Sequence, residues 1–306
     1  MSTQKLSNEK ILITGATGSI ARPVAKFLAK DNHVIGAARF SNPAFRKELD
    51  EAGVETVAID LEANEIETIP EDVTRIIHYA YTRRPSGAFH EAIQVNAIGP
   101  GHVLKRCRSA KSALIVSAAT LYSVHDDPAY VYREEDDIGF ARAPWGPTSP
   151  VSKVTLEAVA RFCAEAFDLR TTIVRPAVPY GCALDMVTTI IDAVASDQPV
   201  FCIHDPQPLS VIHIDDMAEQ LAKLLDAATV PATILNWASD EVMTVQEIAG
   251  QVGDLLGKTP SFQASNPAGV AKGSVIDTTK VRAIVGPCQR TLRDSLPELV
   301  AARGFA

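Results

Sequence analysis

Gly15 and Gly18 lie in Thr14-Gly15-Ala16-Thr17-Gly18-Ser19-Ile20-Ala21, where an apolar run meets an amphipathic one. Ile11, Leu12 and Ile13 before them read as a buried strand, and Val24, Phe27 and Leu28 after them share one helical face. Strand, glycine turn and helix together aim backbone N–H groups and the positive end of a helix at one point. The chemistry this supports is phosphate binding. The spacing points to a dinucleotide site at Gly15, Thr17, Gly18, Ser19 and Ile20, in preference to a plain structural turn. Arg39 is the second candidate. An NAD site places a carboxylate after its second strand for the ribose hydroxyls. Here Ala38 stands in that place and Arg39 follows it. A guanidinium clamps a 2′-phosphate through charge-assisted hydrogen bonds, so NADP(H) is expected over NAD(H). The plainer role for Arg39 is stacking on adenine or solvation.

These residues need a scaffold, and the chain has the length for one. Its 306 residues are 46% hydrophobic and 22% charged, which suits one or two units with a substantial core. The net charge of −8 and the lack of a basic stripe argue against nucleic acid or an anionic membrane as partner. Residues 1–8 lack the apolar centre of a secretion signal, and no apolar run is long enough to span a bilayer. The five cysteines, Cys107, Cys163, Cys182, Cys202 and Cys288, are odd in number and scattered. They fit buried thiols in a reducing cytoplasm, with neither disulfides nor a metal site expected.

Strand-like runs at 11–13, 33–39, 55–60, 75–80, 111–118 and 170–175 alternate with helical patterns at 18–30, 43–52, 88–109 and 150–167. This alternation predicts an α/β fold with a Rossmann-like, doubly wound parallel sheet and ligands at the strand carboxyl ends. Beyond residue 176 the pattern loosens. Strands are expected at 209–214 and 232–236, and helices at 215–228, 244–256 and 291–303. The chain is therefore divided into a Rossmann domain over 1–176 and a small α/β substrate lobe over 177–306, packed together without a linker. Between them, 123–147 holds His125, Asp126, Asp127, Glu134, Glu135, Asp136 and Asp137 among Tyr130, Tyr132 and Trp145. It reads as a loop over the active site or as a solvated acidic excursion.

With these residues in hand, the chain resembles the extended short-chain dehydrogenase/reductase family, the NAD(P)-dependent epimerase/dehydratase group. The marks are the glycine turn, Asp60-Leu61, His78-Tyr79-Ala80, Asn96 in Val95-Asn96-Ala97-Ile98-Gly99, and the SAATLY run ending at Tyr122. Ser152-Lys153, Arg175-Pro176, Tyr180-Gly181 and His213-Ile214-Asp215-Asp216 continue the pattern almost to the end of the chain. The resemblance implies a cofactor across the strand ends, contacted by Asp60, Leu61, Ala80, Tyr81, Asn96, Lys153 and Pro176 as well as the glycine turn. It also implies dimerisation through the helices near 96–109 and 150–167. His213 is expected to tie the strand to the lobe rather than act as a base.

The same resemblance implies a catalytic Ser or Thr, a Tyr, and a Lys one helical turn after the Tyr, where it lowers the phenol pKa. Lys153 fits. Four residues before it stands Ser149, and four before Tyr122 stands Ala118. A serine is shorter than a tyrosine and a far weaker acid than a phenol of pKa about 10. Thr120 and Tyr122 are candidate substitutes. So are Tyr81, Tyr130, Tyr180 and a water held by Ser149 and Lys153. Leu209 stands where nucleotide-sugar members carry an arginine for the pyrophosphate, which implies a less charged substrate. The expected function is a cytoplasmic NADP(H)-dependent oxidoreductase acting on a small organic carbonyl or alcohol with a non-standard proton donor. The alternatives are an NADP-binding protein or redox sensor without chemistry, and a non-redox epimerase, isomerase or lyase in the same cleft.

Overall fold

The computed structural model describes residues 5–305. Residues 1–4, part of the stretch read above for a secretion signal, and residue 306 lie outside the described residues. In chain order the first half comprises β1 (Lys10–Thr14), α1 (Ala21–Leu28), β2 (His33–Ala38), α2 (Pro43–Glu51), β3 (Glu55–Ala58) and β4 (Arg75–His78). Next come α3 (Phe89–Ile93), a π-helical turn (Gln94–Ile98), α4 (Gly99–Arg106), β5 (Ser112–Val116), β6 (Val131–Tyr132), α5 (Ser149–Phe167) and β7 (Thr171–Pro176). The second half holds β8 (Val178–Tyr180), α6 (Met186–Ala195), β9 (Val200–Cys202), β10 (Pro208–His213), α7 (Ile214–Asp226), β11 (Thr233–Trp237) and β12 (Val242–Thr244). It closes with α8 (Val245–Leu256), β13 (Phe262–Ala264), β14 (Val275–Ile276), α9 (Thr279–Val285) and α10 (Leu292–Ala302).

The main sheet has seven parallel strands in the order β11-β7-β5-β4-β1-β2-β3. Alternate residues of each strand face opposite layers. Ile11 and Ile13 join Val24 and Leu28 of α1 and Leu221 of α7 in one core. Leu12 and Ile76 join Leu104 of α4 and Leu156 of α5 in the other. Where both faces are covered the strands are largely apolar, and β5 is buried at every residue, whereas the edge strand β3 has none that is fully buried. The strand order reverses between β1 and β4. That is the topological switch point, where a crevice opens beyond the carboxyl ends.

The smaller lobe packs α6, α8 and α10 around the three-stranded sheet β12-β10-β8. The division expected at residue 176 does not cut the structure cleanly. β11 pairs with β7 in the main sheet, and α7 packs on α1, because the chain returns to complete the first core after starting the lobe. The 123–147 stretch is pinned at several points, although Asp126, Asp127, Glu135 and Asp137 stay exposed. β6 pairs with β14, Lys280 meets Glu134 at 3.3 Å as well as Glu135, and Arg133 lies 3.8 Å from Asp277. Of its acidic residues, Glu134 and Glu135 face Lys280, and Asp126 lies 4.0 Å from Lys272.

Candidate functional site

The loop from β1 to α1 opens at the switch point. Gly15 has φ +71°, and a Cβ there would lie 2.6 Å from Ala80 Cα. Only glycine lets β1 and the loop after β4 meet this closely. The Gly18 N–H donates to the Gly15 carbonyl at 2.8 Å, closing the turn. No side chain caps the N-terminus of α1, although the Arg22 N–H donates to the Gly18 carbonyl at 3.0 Å, and the positive end of the helix dipole stands behind the turn. Thr17, Ser19 and Ile20 are half-buried around the turn. The turn is thus a tight backbone concavity of the kind the sequence reading assigns to an anionic group.

Arg39 follows β2 and is exposed, with no ion-pair partner among the described residues. Asp60 follows β3. Its Oδ1 accepts from the N–H groups of Glu62 at 2.8 Å and Ala63 at 3.3 Å, so the carboxylate also shapes its own turn. Leu61 is buried, and a Cβ at Gly99 would lie 2.4 Å from its carbonyl oxygen. Sequence reasoning quoted Gly99 only as part of a run. Its role is to let the π-helical turn touch the Leu61 backbone.

Asn96, in that π turn, is 1% exposed. Its Oδ1 accepts from the Thr82 N–H at 2.8 Å, and its Nδ2 donates to the Thr82 carbonyl at 2.9 Å and the Ser152 hydroxyl at 3.2 Å. This clamp fixes the loop after β4, including Ala80 and Tyr81, against α5. Thr82 was not a sequence candidate, because the contact uses only its backbone. Buried His78 meets the Thr14 hydroxyl at 2.7 Å, and burial holds it neutral with a pKa of about 3.

Lys153 projects from α5, 7% exposed, and donates to the Val116 carbonyl at 2.9 Å. Burial lowers its pKa from 10.5 to about 8, against the opposing pull of Glu157. Its ammonium lies 4.8 Å from the centroid of the Tyr81 ring. Ser149 sits one helical turn earlier, next to the Tyr81 hydroxyl, which is buried and makes no well-formed hydrogen bond. Thr120 lines the adjoining cleft, with its hydroxyl buried and unpartnered. Tyr122 is differently engaged. Its hydroxyl donates to Asn236 Oδ1 at 2.7 Å and accepts from Arg175 at 3.0 Å, while Arg175 forks onto Glu157 at 2.9 and 2.7 Å. Burial pushes this phenol up to about 12. The geometry gives Tyr122 a packing role rather than proton transfer. Pro176 ends β7, buried beside Trp237.

A cleft of 650 Å³ opens between the sheet ends and the lobe. Val178, Met186, Ile190, Val200, Ile203 and Leu209 make its lobe side aliphatic, and Ala141, Arg142 and Trp145 come from the 123–147 stretch. That stretch therefore borders the site, as its lid reading required. His213 caps α7 by accepting from the Asp215 N–H at 3.1 Å, and a Cβ at Gly181 would lie 2.6 Å from its ring. The structural reading of His213 holds. All five cysteines are free, and burial pushes Cys107, Cys163, Cys182 and Cys288 up to about 11. Among the described residues no helix is long and apolar enough to cross a membrane.

A parallel sheet reversing at a glycine cradle, with a buried lysine and a cleft beside it, defines a dinucleotide-binding protein of the Rossmann kind. The chain belongs to the NAD dependent epimerase/dehydratase family, whose model matches residues 11–237. Among curated proteins it is similar to methionine adenosyltransferase 2 subunit beta of Bos taurus, at 26% identity over 263 residues, 81% of this chain and 72% of that one. Among solved structures it resembles UDP-glucuronic acid 4-epimerase from Bacillus cereus in complex with UDP-glucuronic acid and NAD. The TM-score is 0.81 at 19% identity, over 96% of this chain and 99% of that one. It also resembles the Thermus thermophilus UDP-glucose 4-epimerase complex with NAD, with a TM-score of 0.80 at 20% identity, over 97% and 100%. At these identities the likeness establishes the extended short-chain fold.

Proposed function

We propose that the protein is an NADP(H)-dependent oxidoreductase acting on a small, largely apolar carbonyl compound or the corresponding alcohol. The observation that carries this reading is a buried Lys153 held to the carboxyl end of β5, together with a cleft whose lobe side is largely aliphatic. The glycine cradle fits a dinucleotide, since a single Cβ at Gly15 would close it. The turn at Gly15, Thr17, Gly18, Ser19 and Ile20 would hold the pyrophosphate. Asp60 and Leu61 would meet the adenine, Arg39 the 2′-phosphate, and Lys153 the nicotinamide ribose. Ala80, Tyr81 and Pro176 would wall the nicotinamide end, with Asn96 holding the loop that carries the first two. When bound, the nicotinamide supplies or accepts a hydride, for which alignment within an enclosed site is the main requirement.

NADP is favoured here although the structural relatives hold NAD, because Ala38 leaves no carboxylate to repel a 2′-phosphate. A UDP-sugar is disfavoured because the lobe side, with Leu209 among its aliphatic residues and Asp185 as its charged one, offers a diphosphate no cation, leaving only Arg83 and Arg142 from outside the lobe. A homodimer through α4 and α5 belongs to the same reading. Phe162 of α5 is 67% exposed, and a purely monomeric protein on size exclusion would refute that part. A second reading, an NADP-binding regulatory protein, is favoured by Ser149 and Ala118 and by the similarity to a subunit of another enzyme.

The test is NADPH and NADH binding by nicotinamide fluorescence, followed by turnover of a panel of ketones, aldehydes and enones, some bearing a carboxylate that Arg83 or Arg142 could meet. Tight NADPH binding with deuteride transfer to a panel compound supports the oxidoreductase. Tight binding with no transfer to any compound refutes it in favour of the regulatory reading. Absence of binding to either nucleotide refutes both.

A further inference from the structure

Resting on the oxidoreductase reading, we infer that Tyr81 is the proton-transfer residue, a phenol delivered from the loop after β4 to the place where Ser149 leaves α5 without one. Side chains one turn apart on a helix lie on the same face, so a phenol at 149 would stand over Lys153. Ser149 leaves that space open, and the Tyr81 ring occupies it. The Lys153 ammonium lies 4.8 Å from the ring centroid, and the Ser149 hydroxyl is the phenol's polar neighbour.

The Tyr81 backbone is held in place by construction. Asn96 grips both the N–H and the carbonyl of Thr82, the next residue, and ties them to Ser152 on the same helix as Lys153. A buried π turn supplies this asparagine, and such turns recur where a helix must present a functional group. The phenol itself is buried without a well-formed hydrogen bond. A buried polar group left unsatisfied is destabilising and calls for a partner, and a substrate oxygen entering from the cleft that Arg83 and Thr120 line is of the right chemistry. Burial raises its pKa, so it remains protonated at neutral pH, as an acid must. The charged groups facing it, Lys153 from α5 and Arg83 from its own loop, are cations that would favour the phenolate left after transfer.

Tyr79 and Tyr180 also have buried hydroxyls without a well-formed hydrogen bond, but of the six tyrosines only Tyr81 lies against Lys153 and Ser149. Tyr122 is committed to Asn236 and Arg175, and Tyr132 accepts from the His125 N–H. Tyr130 stacks on His125, Tyr180 is in the lobe core against His213, and Tyr79 is packed against the α1-side core. In the reducing direction the carbonyl carbon gains a hydride from the reduced nicotinamide, and the carbonyl oxygen takes the Tyr81 proton as the C–O π bond breaks. The product is the alcohol with oxidised nicotinamide. The Tyr81 phenolate then regains a proton from solvent by way of the Ser149 hydroxyl.

The test is an ultraviolet difference titration of the full chain, reading phenolate absorbance with and without saturating NADP+, with binding measured separately by calorimetry. One tyrosine is expected to lower its apparent pKa by about one pH unit or more when the nucleotide's positive nicotinamide arrives beside it. That change should vanish in Tyr81→Phe, persist in Tyr130→Phe, and return in Tyr81→Phe/Ser149→Tyr, where the phenol comes from α5. If Tyr81→Phe fails to fold by circular dichroism, Tyr81→Leu and the double variant serve in its place. On any carbonyl that the wild type reduces, Tyr81→Phe should lower kcat about 100-fold or more with KM nearly unchanged. NADP+ binding without a shifted phenol, or a shift that survives in Tyr81→Phe, overturns the assignment and leaves the oxidoreductase reading standing. Failure to bind NADP+ at all overturns both.

Discussion

Lys153 gives a prediction whose magnitude follows from its burial. Its folded pKa is about 8, against 10.5 for an ordinary lysine, with burial as the main cause. The unfolded chain therefore binds more protons than the folded one between pH 8 and 10.5, and stability must rise with pH across that window. A gap of about 2.5 in pH, at about 1.4 kcal/mol for each, makes about 3–4 kcal/mol. This penalty is fully present below pH 8, shrinks as the ammonium loses its proton, and is gone above pH 10.5. Lys153→Met removes the titrating group and retains the length of the stem. It also removes the hydrogen bond to the Val116 carbonyl, which offsets about 1.5–3 kcal/mol of the gain. The vertical difference between wild type and variant at pH 7 is therefore small. The informative quantity is its slope. Urea unfolding of both proteins, without nucleotide, from pH 7 to 10 should show the wild type gaining on Lys153→Met by about 1.4 kcal/mol per pH unit above pH 8. Groups that titrate in both proteins cancel in the difference. Parallel stability curves, or a wild type that loses ground as pH rises, would refute the claim that this ammonium is held in a poorly solvated site.

Other perturbations should separate scaffold from site. Glu157→Gln leaves the buried Arg175 guanidinium short of its carboxylate, and urea unfolding should record a loss of about 3–5 kcal/mol; an unchanged midpoint would show that the pair is dispensable. Gly15→Ala forces a Cβ onto the Ala80 backbone at a left-handed φ. A stability loss of about 1–3 kcal/mol is expected, with NADPH affinity falling more than tenfold in the same titration. Arg39→Ala removes charge-assisted bonds worth about 1.5–3 kcal/mol, so NADPH should weaken about 10- to 100-fold and NADH barely change. Equal weakening of both would remove the 2′-phosphate role.

What the sequence made legible was periodic or conformational. The first five strands and their helices appear as apolar runs alternating with amphipathic ones, because β1, β2, β4 and β5 are buried between two cores, while β3 at the sheet edge is only partly covered. Gly15 is visible because a turn at this position needs a residue without a Cβ, and the sequence around it names the strand and helix it joins. The lobe boundary was less visible, since membership of β11 in the main sheet is a fact of pairing across the chain and leaves no local mark. The 123–147 stretch looked like an acidic loop because its neutralising cations, Lys280 above all, come from the far end of the sequence.

Tyr81 shows the same limit at the site itself. A motif records residues at fixed spacing on one element, and on α5 that spacing ends in Ser149, so the sequence reads as a vacancy beside Lys153. The space is defined by the fold, however, and any loop that reaches it can fill it. The loop after β4 reaches it because Gly15 admits Ala80 against β1 and because Asn96 fastens Thr82 to α5. Both residues were read from the sequence as contacts to a cofactor. Their geometry adds a second task, that of fixing the backbone on either side of Tyr81. A substitution that loosens the clamp without touching the phenol, such as Asn96→Ala, should therefore lower kcat in the same sense as Tyr81→Phe. Unlike that variant, it should also move the phenol titration of the protein without nucleotide. A normal rate in Asn96→Ala would sever the link between the clamp and the phenol's position.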